Sequence, residues 1–358
     1  MKILMTGGSG SIGSELIPIL LSSGHTIVSL SRRTIGISHS NFKSIQCDLS
    51  NVSFENGKFI YKGNEEVEHS LQTNIVKIDC ILHLAGLPSG EGYTLEDYLH
   101  QNVYPTQTLV SIAKYFNIPK FIYSSTASVY GENESRKPSI ETDSLNGKSF
   151  YAVSKIESEK YVLQSNIPNF IIFRISSVYG RNLKSYINKI VKYYEKSIFP
   201  FPLKKNLFKS FIYIEDLLSF ITSGLLYEGS GIFNLSHPQI VSSEMLFKTL
   251  STFYPKIVLK IFIPEFSVFI EESIYKVFNK VKSITEKISK NQRGNLFNTF
   301  AKISKWSVFK KRESMLKPLF HRSLINPSKA IQELNYTPKI DIQTGIQAIL
   351  LPRNDRNN

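Results

Sequence analysis

At 358 residues, 42% of them hydrophobic, the chain is long enough for one large domain or two modest ones with an ample core. It contains no run of 18 or more apolar residues, no internal repeat and no metal-ligand cluster, which argues against a membrane-spanning or metal-dependent protein. The net charge of +14 comes with no nucleic-acid-binding motif, so no nucleic-acid partner is expected.

The N-terminus reads as a first strand and not as a leader, with Lys2 to Met5 forming a short apolar run. The turn Gly7-Gly8-Ser9-Gly10-Ser11-Ile12-Gly13 follows, then a helical pattern of Ile12, Leu16, Ile17, Leu20 and Leu21. Glycines between a strand and a helix let the backbone approach a pyrophosphate, whose charge then sits at the helix N-terminus. Gly7, Gly10, Ser11, Ile12 and Gly13 are the expected contacts, although their spacing is one residue looser than the Gly-x-Gly-x-x-Gly dinucleotide fingerprint.

Thr26 to Leu30 reads as the second strand. At its end a dinucleotide site places the side chain that meets the adenosine ribose, an acid for a 2′-hydroxyl or an arginine for a 2′-phosphate. Here Ser31-Arg32-Arg33 follows with no nearby acid, so Arg32 and Arg33 favour NADP over NAD. Ile45 to Leu49 reads as a third strand whose Asp48 reaches towards adenine, with Leu49 beside it. Cys80 to Gly86 reads as a fourth, ending in Leu84, Ala85 and Gly86, where backbone passes close to the cofactor. His83 lies inside that apolar strand and reads as a packed core residue. Cys47 and Cys80 also fall in apolar strands, as reduced, inert thiols of a cytoplasmic protein.

Lys120 to Tyr123 forms a fifth strand, with Ser124-Ser125-Thr126 at its carboxyl edge, where open α/β sheets hold ligands. Tyr151 to Lys155 then opens a helix, and its positions i and i+4 share a face. A lysine cation beside a phenol favours the phenolate, so Lys155 is expected to depress the Tyr151 pKa towards neutrality. Such a base takes a proton from a sugar or alcohol hydroxyl as hydride leaves the carbon, with Thr126 holding the same oxygen.

In these residues the chain resembles the extended short-chain dehydrogenase/reductases, specifically the nucleotide-sugar epimerase/dehydratase group. The resemblance runs from Met1 to about Arg181, resumes over Lys209 to Leu217, and returns from Arg322 to Ile346. It implies an α/β fold, a Rossmann-type doubly wound parallel sheet with a smaller, mostly helical C-terminal substrate lobe. Residues 1–181 would form the NAD(P)-binding domain, with a segment around 208–236 returning to it, and 182–358 the lobe. The family's catalytic threonine, tyrosine and lysine fall on Thr126, Tyr151 and Lys155, and its structural asparagine, a member of the proton relay, on Asn102. A basic residue for the substrate diphosphate falls on Lys209, with Lys204 and Lys205 as alternates, and Arg181 closes the segment leading into the substrate pocket.

Two departures bear on activity. The dehydratases of the group carry an acid pair after the threonine, whereas Ala127-Ser128 follows Thr126, which argues against dehydration. Arg32 and Arg33 stand where NAD-retaining epimerases show an acid, which tilts towards a reductase that releases its NADP. The resemblance implies C4 epimerisation of a nucleotide- or polyprenyl-diphosphate-linked sugar in cell-surface polysaccharide synthesis, with an NADPH-dependent 4-ketosugar reductase as the alternative. A non-catalytic NADP-binding sensor is a third reading, against which Tyr151, Lys155 and Thr126 weigh. A homodimer is a further family expectation.

The positive charge is concentrated. Between Ser251 and Arg322 stand 15 Lys and Arg against five Glu and no Asp. Two amphipathic helical patterns fall in this insert, one running from Phe266 to Ile288, the other from Phe297 through Trp306 to Lys311. They either cap the substrate lobe or lie against an anionic membrane as a peripheral contact.

Overall fold

The computed structural model describes residues 1–62, 64–90, 92–132, 137–202, 207–255, 257–263 and 322–350. The two amphipathic patterns, Lys204 and Lys205 lie outside the described residues.

The chain opens with β1 (Lys2–Thr6), α1 (Gly13–Ser22), β2 (Thr26–Ser31) and β3 (Phe42–Gln46). A hairpin of β4 (Val52–Glu55) and β5 (Lys58–Tyr61) follows, then α2 (Glu65–Asn74) and β6 (Cys80–His83). Next come α3 (Leu95–Tyr98), a π-helical turn Leu99–Val103, α4 (Tyr104–Tyr115), β7 (Lys120–Thr126), α5 (Phe150–Leu163) and β8 (Asn169–Ile175). Beyond these lie β9 (Ser177–Tyr179), α6 (Tyr186–Glu195), β10 (Ile198–Pro202), β11 (Phe208–Tyr213), α7 (Ile214–Leu226) and β12 (Gly231–Leu235). The last labelled elements are β13 (Ile240–Ser242), α8 (Ser243–Phe253) and β14 (Leu259–Ile263).

Seven strands make one sheet in the order β12-β8-β7-β6-β1-β2-β3, every pairing parallel. Parallel strands are covered on both faces, so they read as continuous apolar runs. In β1 the alternation of side chains sends Ile3 and Met5 to one core, with Leu16, Ile17 and Leu20 of α1. Leu4 goes to the other, with Leu109 and Ile112 of α4. Each fully buried side chain of this kind contributes about 1.5–3 kcal/mol of transfer free energy. The chain moves outward from β1 to β3 and then crosses back to β6, so the strand order reverses at β1. Ligands of open α/β sheets bind in the crevice at such a reversal.

The first and second strands run one residue further than read, to Thr6 and Ser31, and three other limits differ. The third strand stops at Gln46, because Asp48 turns the chain: its carboxylate accepts from the Ser50 N–H at 3.1 Å and caps a 3₁₀ turn. The fourth stops at His83, leaving Leu84 to Gly86 as a loop, and the fifth runs on to Thr126. Past residue 181, β12 occupies one edge of the large sheet. β13, β11 and β9 form a small mixed sheet, and β10 pairs with β14. Single bridges tie Ser323 to Lys209 and Ile325 to Ser139.

Candidate active site

The crevice at the β1–β6 reversal is built by glycine. Gly7 has φ +76°, and a Cβ there would lie 2.7 Å from the Ala85 nitrogen and 2.8 Å from the Leu84 carbonyl carbon. The two strand ends therefore abut, and Leu84, Ala85 and Gly86 line the turn. A Cβ on Gly13 would collide with the Gly7 carbonyl oxygen and lie 2.7 Å from Gly8 Cα, so this residue lets α1 pack on the turn. Gly8, absent from the predicted contacts, is as constrained: a Cβ there would strike the Ser29 hydroxyl and sit 2.9 Å from Ile35 Cδ1. Gly10 is different. It and Ser11 are exposed, and its Cβ would meet the Gly7 carbonyl oxygen at 3.1 Å and no other atom within 4 Å. Ile12 caps α1 without a side-chain hydrogen bond, leaving the backbone of the turn as the helix's N-terminal surface.

Arg33 reaches this turn, its guanidinium donating to the Ser9 carbonyl at 2.8 Å. Arg32 lines a cavity of about 760 Å³ together with Gln46, Asp48 and Tyr61 of the hairpin. Asp48 is engaged there: its N–H donates to the Tyr61 hydroxyl at 3.2 Å and its carboxylate accepts from the Ser50 hydroxyl at 2.7 Å. Leu49 is buried in the core beneath.

The end of β7 meets one face of α5. The Thr126 hydroxyl lies beside the Tyr151 phenol and lowers its pKa, Lys155 Nζ donates to the Ser124 carbonyl at 2.8 Å, and Ser125 donates to Glu159. The Ser149 hydroxyl accepts from the Ala152 N–H at 3.1 Å and starts α5 where Tyr151 falls on its first turn. Burial pushes the Tyr151 phenol up to about 12, against the neighbouring Thr126 hydroxyl, which lowers it. This reverses the expected depression by Lys155. Its ammonium bonds the Ser124 carbonyl and lies 4.7 Å from the centre of the Tyr123 ring. Burial lowers Lys155 to about 8, with Glu159 opposing.

Asn102 sits in the π-helical turn, not yet in α4. Its amide accepts from the Leu87 N–H at 2.6 Å and donates to Ser154 Oγ at 2.9 Å, so it ties the loop after β6 to α5 without contacting Tyr151. The same loop closes on the site, since a Cβ on Gly86 would lie 2.9 Å from Asn102 Oδ1 and 3.4 Å from Lys155 Nζ. His83 is fully buried, and burial lowers its pKa to about 3. Thr106 donates to the Asn102 carbonyl, so it accepts from His83 Nε2 at 3.1 Å. That leaves Nδ1 to accept from Thr6 at 2.7 Å, while Thr6 accepts from the Ala85 N–H at 3.1 Å. The neutral ring thus links the crevice to Asn102 as a core residue.

The two predicted substrate contacts lie in the small sheet region. Lys209 is buried in β11, 4.5 Å from the Tyr186 ring centre, and burial lowers it to about 7. Arg181 donates from Nε to the Ala348 carbonyl at 3.0 Å, which fastens the helix Ile342–Leu350 to the strand β9 region. The sequence reading missed the buried ion pair under the site: Arg174 Nη2 lies 2.8 Å from Glu159 Oε2, and Arg174 Nη1 donates to Tyr130 at 2.9 Å. Its one signal was Arg174 inside the otherwise apolar strand β8.

A family model described as Epimerase, NAD dependent epimerase/dehydratase family, matches residues 3–235. Uncharacterized UDP-glucose epimerase YtcB of Bacillus subtilis (strain 168) is 31% identical over 188 residues, 50% of this chain and 57% of its own. The dTDP-D-glucose 4,6-dehydratase of Dictyostelium discoideum is 30% identical over 245 residues, 61% of this chain and 54% of its own. The chain spans about half the length of the curated relatives it matches. Among solved structures, UDP-glucuronic acid 4-epimerase from Bacillus cereus, in complex with UDP-glucuronic acid and NAD, aligns with a TM-score of 0.67 at 22% identity, covering 97% of each chain. UDP-glucose 4-epimerase of Thermus thermophilus with NAD gives 0.68 at 18%, covering 98% of this chain and 97% of its own. At those identities the likeness is one of fold.

Proposed function

The chain belongs to the NAD dependent epimerase/dehydratase family, and on that premise we propose that it epimerises C4 of a diphosphate-linked sugar with NAD or NADP as cofactor. The sugar's carrier is a nucleotide or a polyprenyl diphosphate, and the product serves cell-surface polysaccharide synthesis. The observation that carries this reading is the meeting of Tyr151, Thr126 and Lys155 at the end of β7, beside the glycine-built crevice.

The residues present fit a dinucleotide. Gly7, Gly8 and Gly13 leave bare backbone, Gly10 and Ser11 lie open, and the uncapped N-terminus of α1 suits a pyrophosphate. Arg32 and Arg33 would meet the adenosine end, and Lys155 with Leu84 to Gly86 the nicotinamide end. A nicotinamide held there would supply reversible hydride transfer at C4, out from one face of the sugar and back to the other. Tyr151 holds and returns the proton of the C4 hydroxyl, and Thr126 keeps that oxygen in line. Lys155, charged below about pH 8, donates to the Ser124 carbonyl and braces the strand end beside Tyr151. The family's acid pair is replaced by Ala127-Ser128, so no carboxylate follows Thr126 to expel a hydroxyl. Lys209 is the proposed partner of the substrate diphosphate.

The position of Arg33 on the Ser9 carbonyl supports a second reading, an NADPH-dependent 4-ketosugar reductase that performs only the return half. The test is to denature the purified protein and identify the released nucleotide. Retained NAD or NADP is expected of the epimerase. An empty protein that binds NADPH over NADH, with the preference lost at least tenfold in Arg33→Ala, gives the reductase. Binding of neither overturns both. Contact with an anionic membrane through the basic stretch 251–322, and a homodimer, belong to the same proposal. Among the described residues no helix is long and apolar enough to cross a membrane.

A further inference from the structure

Three residues one helical turn apart on α5 face three consecutive residues of β7: Lys155 donates to the Ser124 carbonyl, Glu159 accepts from Ser125, and Tyr151 lies beside Thr126. Side chains at i, i+4 and i+8 line one stripe of a helix, so this is a continuous seam between the helix and the strand end. Its inner member is ionic and closed from behind. Arg174 of β8 donates to both carboxylate oxygens of Glu159 and spends its remaining nitrogen on Tyr130 and the Glu141 carbonyl. Tyr130 in turn donates to Asn234 of β12 at 2.8 Å. Glu159 is 1% exposed and Arg174 is 3%, so neither charge is screened by water.

We propose that Glu159 is a positioning residue of this site: anchored by Arg174, it fixes the strand end that carries Thr126 and supplies the buried counter-charge of Lys155. The proposal rests on the reading of Tyr151 and Lys155 as the reacting centre. A buried ion pair costs desolvation that well-packed apolar residues would avoid, so stability alone is a poor reason for one here. What the pair supplies is a negative charge four residues from a buried ammonium. The other groups facing Lys155 cannot replace it. His83 on β6 is neutral, Tyr123 on β7 and Tyr151 on α5 are phenols whose pKa burial raises, and the Ser124 contact is a carbonyl. The positive Arg174 on β8 is neutralised by the same carboxylate.

The test is the titration of Lys155 in the full chain carrying ¹³C-labelled lysine, with Lys155→Met to assign its resonance. Glu159→Gln should lower the Lys155 midpoint by about one pH unit. Ser125→Ala, which removes the hydroxyl and keeps both charges, should leave it in place. A midpoint unmoved in Glu159→Gln, or moved as far in Ser125→Ala, overturns the proposal. If Glu159→Gln does not fold, the double variant Glu159→Gln/Arg174→Met leaves no lone buried charge. It should shift the midpoint the same way by a smaller amount, and no shift again overturns the proposal. The titration needs no sugar, so its failure is distinct from failure of the epimerase reading, which the turnover of Tyr151→Phe decides.

Discussion

Gly13 and Gly10 make different demands on the same turn, and substitution separates them. In Gly13→Ala the new Cβ collides with backbone at Gly7 and Gly8, so the turn or α1 must shift. Loss of nucleotide binding together with a lower melting temperature is expected, with destabilisation of about 1–3 kcal/mol, as for overpacking elsewhere. Gly10→Ala meets only the Gly7 carbonyl oxygen at 3.1 Å, so the fold should hold while nucleotide affinity falls at least tenfold. Calorimetry and nucleotide titration of both variants check this. The spacing of Gly7, Gly10 and Gly13 was legible because it is local. The demand on Gly8 was not, since it comes from Ser29 and Ile35 on other elements. The Tyr151 pKa was misread for a related reason. Spacing shows Lys155 one turn away, but only the packed structure shows its ammonium turned to the Ser124 carbonyl.

The π-helical turn Leu99–Val103 is the element that aims Asn102 inward, joining α3 to α4. Such turns insert one residue in the helical ladder and are frequent at functional sites. Asn102→Ala would leave the buried Leu87 N–H without its partner, at a cost of about 1–3 kcal/mol. Denaturant unfolding should report that loss, and amide exchange should rise at Leu87. Unchanged exchange there would contradict the bracing role. Element existence was legible for the long apolar strands of the large sheet. The hairpin β4–β5 was missed although its signal stood in the chain: Asn56-Gly57, both at positive φ, between alternating residues of Val52 to Tyr61. The short strands Ser177–Tyr179 and Ile240–Ser242 carry too few residues for any period to show.

For the whole molecule, buried ionisable groups set the pH dependence of stability. The folded pKa of His83 lies near 3, below its ordinary 6.5, so the unfolded chain binds more protons between those values. Stability should therefore fall as pH drops from about 6.5 towards 3. Lys155 and Lys209, near 8 and 7 when folded against an ordinary 10.5, bind fewer protons folded than unfolded above those values. Their contribution should thus rise with pH from about 7 to 10.5. Melting temperatures at pH 4.5, 7 and 9 should increase in that order, and His83→Gln should flatten the acid limb. The doubly wound parallel sheet was expected from the family resemblance, whereas its strand order and the reversal at β1 come from the strand pairing. The Glu159–Arg174 pair was not expected, because it is made only when α5 and β8 pack. The most direct measurement of the proposed chemistry is proton NMR of UDP-glucose and UDP-glucuronic acid incubated with the wild-type chain and with Tyr151→Phe. The wild type should form the C4 epimer of at least one, and the variant should slow it at least a hundredfold while keeping its nucleotide. Full turnover in Tyr151→Phe, at the wild-type rate, would contradict the assignment of Tyr151 as the acid/base.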